Sequence, residues 1–218
     1  MTNLVVRTLS ERVFDIVREQ IVTGAIATES PIRQDSLASG LGVSKIPVRE
    51  ALARLEQEGL LQSHPNRGYV VPAMSAAQAD EIYDLRLAIE PAAAAHAARH
   101  ATDDERQAAI AAFQALDEAA SHDLAAVAMC NRQFHTALVT PGGRALTAQL
   151  VERLAVLAER YVIAHLQPAG RESRAHREHS QLLQAWLAGD GQTVERLLTT
   201  HIASTGDDLK QQLARNGQ

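Results

Sequence analysis

Aromatic side chains are scarce in this chain, at 3% of 218 residues, and cysteine occurs once, at Cys130. Few aromatics beside abundant alanine and leucine favour helix over sheet. A lone thiol excludes an internal disulfide and a cysteine-based zinc site, and it fits a reducing compartment. Nowhere do about 18 apolar residues run together, and the opening MTNLVVRTLSERVFD lacks the apolar core of a signal peptide. A soluble, cytoplasmic protein with no membrane partner is expected.

An excess of positive charge is also missing. The formal net charge of -5 excludes a protein that coats nucleic acid by bulk electrostatics. Up to Met74 the eight basic residues are balanced by eight acidic ones, so the whole deficit falls in the C-terminal part. DNA binding by the N-terminal part would therefore depend on a few placed side chains. Enzyme signatures are lacking as well: there is no serine-centred elbow, phosphate-cradling glycine loop or thiol-histidine pairing. His176-Arg177-Glu178-His179 spaces its histidines three apart, whereas a zinc-protease helix needs them four apart with a glutamate base between. A metal-dependent enzyme built on a helical bundle, with an accessory N-terminal domain, is the alternative from another class.

What is present points to a mainly α protein of two domains, residues 1–73 and 74–218. Val13, Ile16, Val17 and Ile21 recur at helical spacing between a candidate N-cap, Ser10, and a stop at Gly24. Ala25 to Pro31 reads as a loop. A short helix from Asp35 to near Gly42 follows, and Ser44 caps a third helix from Lys45 to about Glu58, whose first turn tolerates Pro47. Leu60-Leu61-Gln62 and Gly68-Tyr69-Val70-Val71 flank the polar turn Ser63 to Arg67, the pattern of a small hairpin. Beyond Ser75 six helices are predicted, at 75–100, 102–120, 122–139, 143–167, 171–189 and 191–214. Their breaks fall at Thr102-Asp103-Asp104, Ser121-His122-Asp123, Pro141-Gly142-Gly143, Pro168-Ala169-Gly170 and Gly189-Asp190-Gly191. Short loops between long helices imply an antiparallel bundle.

Leu37-Ala38, the turn Leu41-Gly42-Val43-Ser44 and the apolar Val48, Leu52 and Leu55 compose a helix-turn-helix. The second helix then offers Ser44, Lys45 and Arg49 near its N-terminus, where side chains reach bases and phosphates in a major groove. Arg49 can bond a guanine edge through two donors, while Lys45 offers a point charge. The run Val43-Ser44-Lys45-Ile46-Pro47-Val48-Arg49-Glu50-Ala51-Leu52, with Asn66-Arg67-Gly68-Tyr69-Val70-Val71 after it, resembles the winged helix of the GntR family of bacterial regulators. The resemblance implies that Ser44, Lys45, Arg49 and Gly68 meet double-stranded DNA, with Arg67 and His64 as further wing candidates. Lys45 stands where many members have arginine, and Asp35 where some have arginine.

In the C-terminal part Asn131 and His135 lie four apart and share a helix face, while His179 and His201 fall on two later helices. A bundle can bring such positions together, and imidazole suits zinc, nickel and other transition metals. By composition alone, histidines inside helices are more often hydrogen-bonded core or surface residues. Tyr83-Asp84-Leu85-Arg86-Leu87-Ala88-Ile89-Glu90, Asn131 to His135, and Glu178-His179 followed by His201 are similar to the FCD ligand-binding domain of the FadR subgroup. That resemblance implies a divalent transition metal, zinc or nickel, on Asn131, His135, His179 and His201, with asparagine where aspartate is commoner. It also implies a small organic acid effector clamped by Arg86, for which an intrahelical pair with Glu90 is the competing reading. Arg160 and Tyr161 are additional effector candidates. The expectation is a homodimeric repressor or activator that binds a palindromic operator.

Overall fold

The computed structural model describes residues 7–65, 67–120, 124–166, 168 and 170–216. The chain divides between Ala73 and Met74 into two compact units.

The first unit begins with α1 (Leu9–Val22). Its cap is Thr8, not Ser10: the Thr8 side chain accepts from the Glu11 amide and the Glu11 carboxylate accepts from the Thr8 amide at 2.7 Å. This reciprocal box satisfies two otherwise unpaired amides, which Ser10, two residues further in, does not do. The helix buries Val13, Phe14, Val17 and Ile21 against Val48, Ala51, Leu52 and Leu55 of α3 (Lys45–Gln57). Between them α2 (Gln34–Leu41) ends on Gly42, whose φ of 65° is the left-handed turn that swings the chain into α3. Ser44 occupies the N-cap position of α3, yet its side chain makes no capping bond.

Three short strands complete the unit. The expected hairpin is β2 (Gln62–His64) against β3 (Gly68–Val70), and Gly68 opens β3 at φ 73°, where a side chain would be strained. A two-residue strand, β1 (Pro31–Ile32), lies in the stretch read as loop and pairs antiparallel with β3, giving the order β1-β3-β2. Two residues carry too little alternation to be recognised as a strand; the partner β3 creates it. Asn66 of the wing turn lies outside the described residues.

The second unit consists, among the described residues, of six helices: α4 (Ala76–His100), α5 (Asp103–Ala120), α6 (Leu124–Val139), α7 (Ala145–Leu166), α8 (Arg171–Leu187) and α9 (Gly191–Asn216). Ser75 caps α4 through the Gln78 amide, and Thr102 and Glu105 form a second capping box at α5. The break expected at Ser121-His122-Asp123 and the residue Ala169 lie outside the described residues. The alanine run of α4, with Ala94, Ala95, Ala97 and Ala98 buried, lets that helix pack closely in the centre of the core, most extensively on α9. Trp186 is fully buried and its Nε1 donates to the Leu138 carbonyl at 2.9 Å, fastening α8 to α6. Among the described residues no helix is long and apolar enough to cross a membrane.

Candidate DNA-reading helix and candidate metal centre

In the first unit Ser44, Lys45 and Arg49 are all exposed at the N-terminal end of α3, and Arg67 and His64 are exposed about the turn that Gly68 completes. The fold thus presents every side chain proposed for base or phosphate contact to solvent. Lys45 Nζ lies 2.7 Å from Asp35 Oδ1 of α2, in a pair with both members exposed. Such a pair exchanges readily with a phosphate. Ile46, not singled out from the sequence, is 59% exposed beside them. Its signal was its place between Lys45 and Pro47, one residue off the apolar stripe that carries Val48 and Leu52.

In the second unit α6, α8 and α9 each send one histidine to a common point. His135, His179 and His201 place ligand nitrogens within 4.8 Å of one another. His179 Nε2 and His201 Nε2 are 3.1 Å apart, and the His135 ring lies 5.4 Å, centroid to centroid, from each of the other two. All three are buried at least in large part, and neither nitrogen of His135 has a hydrogen-bond partner in the protein. Burial lowers the His135 pKa to about 4, with the Glu90 carboxylate opposing the fall, and burial plus the neighbouring His201 and His135 hold His179 well below its ordinary value. Neutral imidazoles with convergent nitrogens are the form that a transition metal needs.

Two carboxylates stand behind these rings. Glu178 Oε2 is 2.7 Å from His201 Nδ1, and Glu90 Oε2 is 3.4 Å from His135 Nδ1. Burial alone would raise the Glu90 pKa, but the Arg86 charge, the two bonds from Arg86 and the neighbouring His135 ring bring it down to about 2. Arg86 donates to Glu90 through Nε at 2.5 Å and Nη2 at 3.2 Å, so the intrahelical pair exists.

The cluster lines a cleft with about 650 Å³ of free space, part of it open to solvent. Its walls hold Asn131, Arg86 and the three histidines, faced by apolar Phe113, Leu116, Val127, Val162 and Leu166. Arg86 therefore has both proposed surroundings, the ion pair and the cleft. Arg160 and Tyr161 do not line it. The Tyr161 hydroxyl accepts from the Ser75 amide at 3.2 Å and donates to Gln78 Oε1 at 2.9 Å, tying α7 to the start of α4.

Two lining residues escaped sequence reasoning. The Tyr83 hydroxyl and His165 Nδ1 are buried without a hydrogen-bond partner, and both residues face the cleft. Tyr83 lies three residues before Arg86 on α4, and His165 lies four after Tyr161 on α7, so helical spacing from the named candidates was the available signal.

Residues 9–71 match the family "Bacterial regulatory proteins, gntR family", and residues 81–204 match the FCD domain. The chain is 30% identical over 216 residues to the HTH-type transcriptional regulator BphR of Paraburkholderia xenovorans, covering 94% of this chain and 87% of that one. It is 27% identical over 212 residues to the HTH-type transcriptional repressor RspR of Escherichia coli, covering 93% and 90%. In fold it is similar to the solved structure of E. coli McbR/YncC, with a TM-score of 0.78 at 24% identity over 95% of this chain and 99% of that one.

Proposed function

As a member of the gntR family of bacterial regulatory proteins with an FCD domain, this chain is a transcription regulator and not an enzyme, and we propose that a small carboxylate acting at a metal-containing pocket controls it. The observation that carries the reading is the meeting of three buried imidazoles from α6, α8 and α9 in a cleft that Asn131 and Arg86 also line. His135, His179, His201 and Asn131 would hold zinc or nickel, and the buried His135 Nε2, without a hydrogen-bond partner in the protein, is the observation that fits such an ion. The ion supplies a Lewis-acidic centre for the effector's carboxylate oxygens. Arg86, Tyr83 and His165 then bond the remaining polar atoms of the effector, and the apolar wall takes its carbon skeleton.

On the DNA side Arg49 reads a base edge, while Ser44, Lys45 and Arg67 meet phosphates and Gly68 lets the wing backbone approach the duplex. Two such winged helices in a cytoplasmic homodimer match the two halves of a palindromic operator. Effector binding shifts the dimer between geometries that fit the two half-sites and geometries that do not.

A mobility-shift assay on the DNA flanking the protein's own gene tests this, run with metal-loaded and chelator-treated protein across a panel of small organic acids. A specific shift that one acid changes only in the presence of metal is expected. A shift that responds to the acid equally without metal would remove the metal from the reading.

A further inference from the structure

The metal reading of the cleft leaves a charge unaccounted for. Three imidazoles and the Asn131 amide bring no negative charge to a divalent ion in a largely buried place, and a buried charge needs a counter-charge. Aspartate at position 131 would supply one directly; asparagine does not. Among the described residues the carboxylates that touch the cluster are Glu90 and Glu178, and each meets the Nδ1 side of a ring: Glu178 Oε2 is 2.7 Å from His201 Nδ1, and Glu90 Oε2 is 3.4 Å from His135 Nδ1.

An ionised carboxylate only accepts hydrogen bonds, so it fixes the imidazole proton on Nδ1 and leaves the Nε2 lone pair for another partner. For His201 the Glu178 carboxylate, 2.7 Å from Nδ1, assigns the proton to that nitrogen, and the ring's Nε2 faces His179 Nε2 at 3.1 Å. Glu178 and His179 are consecutive on α8, about a hundred degrees apart around the helix. The Glu178-His179 pair therefore reaches the His201 ring from both sides, one residue holding Nδ1 and the other meeting Nε2. Glu90 is held in turn by two bonds from Arg86, so the His135 ring rests on a carboxylate that cannot rotate away.

We infer that Glu90 and Glu178 are the positioning residues of the metal centre, orienting His135 and His201 through Nδ1 and supplying the negative charge that Asn131 does not. The inference rests on the metal reading above. The two carboxylates differ in burden. Glu90 is fully buried and its charge is shared with Arg86, so it mainly orients; Glu178 is part-exposed, with Arg174 3.7 Å away, and contributes more of its charge to the ring. Removing Glu90 also strands a buried Arg86, which makes Glu178 the cleaner residue to test.

The experiment is zinc affinity of the full-length chain, measured by competition with a chelating indicator, for wild type, E178Q, E178A, N131D and N131D/E178Q, beside the cobalt absorption spectrum of each. E178Q keeps a hydrogen-bond acceptor but loses the charge, and is expected to weaken zinc binding about 10–100-fold; E178A loses both and falls further. Adding N131D is expected to restore at least tenfold in E178Q and to gain less in the wild-type background, where Glu178 already supplies the charge; equal gains in both backgrounds would assign Glu178 a merely structural role and overturn the charge component of the inference. Equal affinity of wild type and E178Q overturns the inference. Loss in E178Q without recovery in the double variant overturns its charge component. A wild type that binds neither zinc nor cobalt overturns the metal reading itself, which keeps the two failures apart.

Discussion

The two units use charge in opposite ways. In the N-terminal unit Lys45 and Asp35 pair in the open, and Arg49 and Arg67 stand exposed, so the fold spends almost nothing to hold them and they remain available to an external partner. In the C-terminal unit Arg86 and Glu90 are buried with side chains 4% and 0% exposed, and burial holds the pKa values of His135 and His179 well below the ordinary histidine value. The same chemical pairing is exchangeable in one place and structural in the other, because desolvation removes water as the competing partner. A surface charge reads; a buried charge positions.

The largest effect that tests this contrast is Arg86→Met. It leaves Glu90 buried beside His135 without its cation, and is expected to cost about 3–5 kcal/mol of unfolding free energy, read from denaturant melts of Trp186 fluorescence. Because the chain has a single tryptophan, this probe reports on the C-terminal unit alone. A loss under 1 kcal/mol would mean the pair is not the anchor that its geometry indicates.

Next is Arg49→Ala. It removes the side chain proposed to read a base from a surface that contributes nothing to the core, so specific DNA affinity should drop about 10–100-fold by mobility shift while both units melt as before. Equal binding by both proteins would move sequence reading off this helix.

A smaller effect is expected from pH. His135 and His165 have pKa values lowered to about 4, burial being the first cause in both and Arg171 adding to it for His165. The unfolded chain takes up these protons near the ordinary histidine value, so their contribution to stability is present above about pH 6.5 and lost as pH falls from there through about 4. Melts of the metal-free protein should therefore show the Trp186 transition falling over this window. The N-terminal unit, whose only histidine, His64, is exposed, should hold. If both units lose stability in parallel, the buried histidines are not the cause.

The smallest effect belongs to Asp35→Ala. Breaking an exposed pair should leave stability within about 0.5 kcal/mol. With Lys45 released, DNA affinity should rise modestly and equally on all sequences, measurable as a shift in the salt dependence of binding.

Much of the fold was legible because local signals agreed. The apolar stripe of the first helix, Pro47 in the first turn of α3, and Thr102 ahead of α5 all follow from spacing and capping, which act within one turn of chain. Asn131 and His135 were legible as a pair for the same reason. β1 was not, since two residues become a strand only when β3 is laid beside them. Nor was the exchange of Tyr161 for His165 in the cleft. Both lie on one face of α7, one turn apart, and only the packing of α4 against α7 turns Tyr161 to Ser75 and Gln78 while His165 faces the histidines.

The sequence by itself indicated a largely helical chain, a helix-turn-helix with Ser44, Lys45 and Arg49 at the exposed start of its second helix, and, through its family resemblance, the three histidines that meet in the second unit. These depend on periodicity, caps and motifs, all short-range properties of the chain. Only the tertiary structure decided that Glu90 and Glu178 stand behind His135 and His201, and that Arg86 meets both Glu90 and the cleft. Contacts between α4 and α6, or α8 and α9, depend on how each helix is rotated about its axis when the core packs. That rotation is set by the summed burial of many side chains, and no single spacing encodes it.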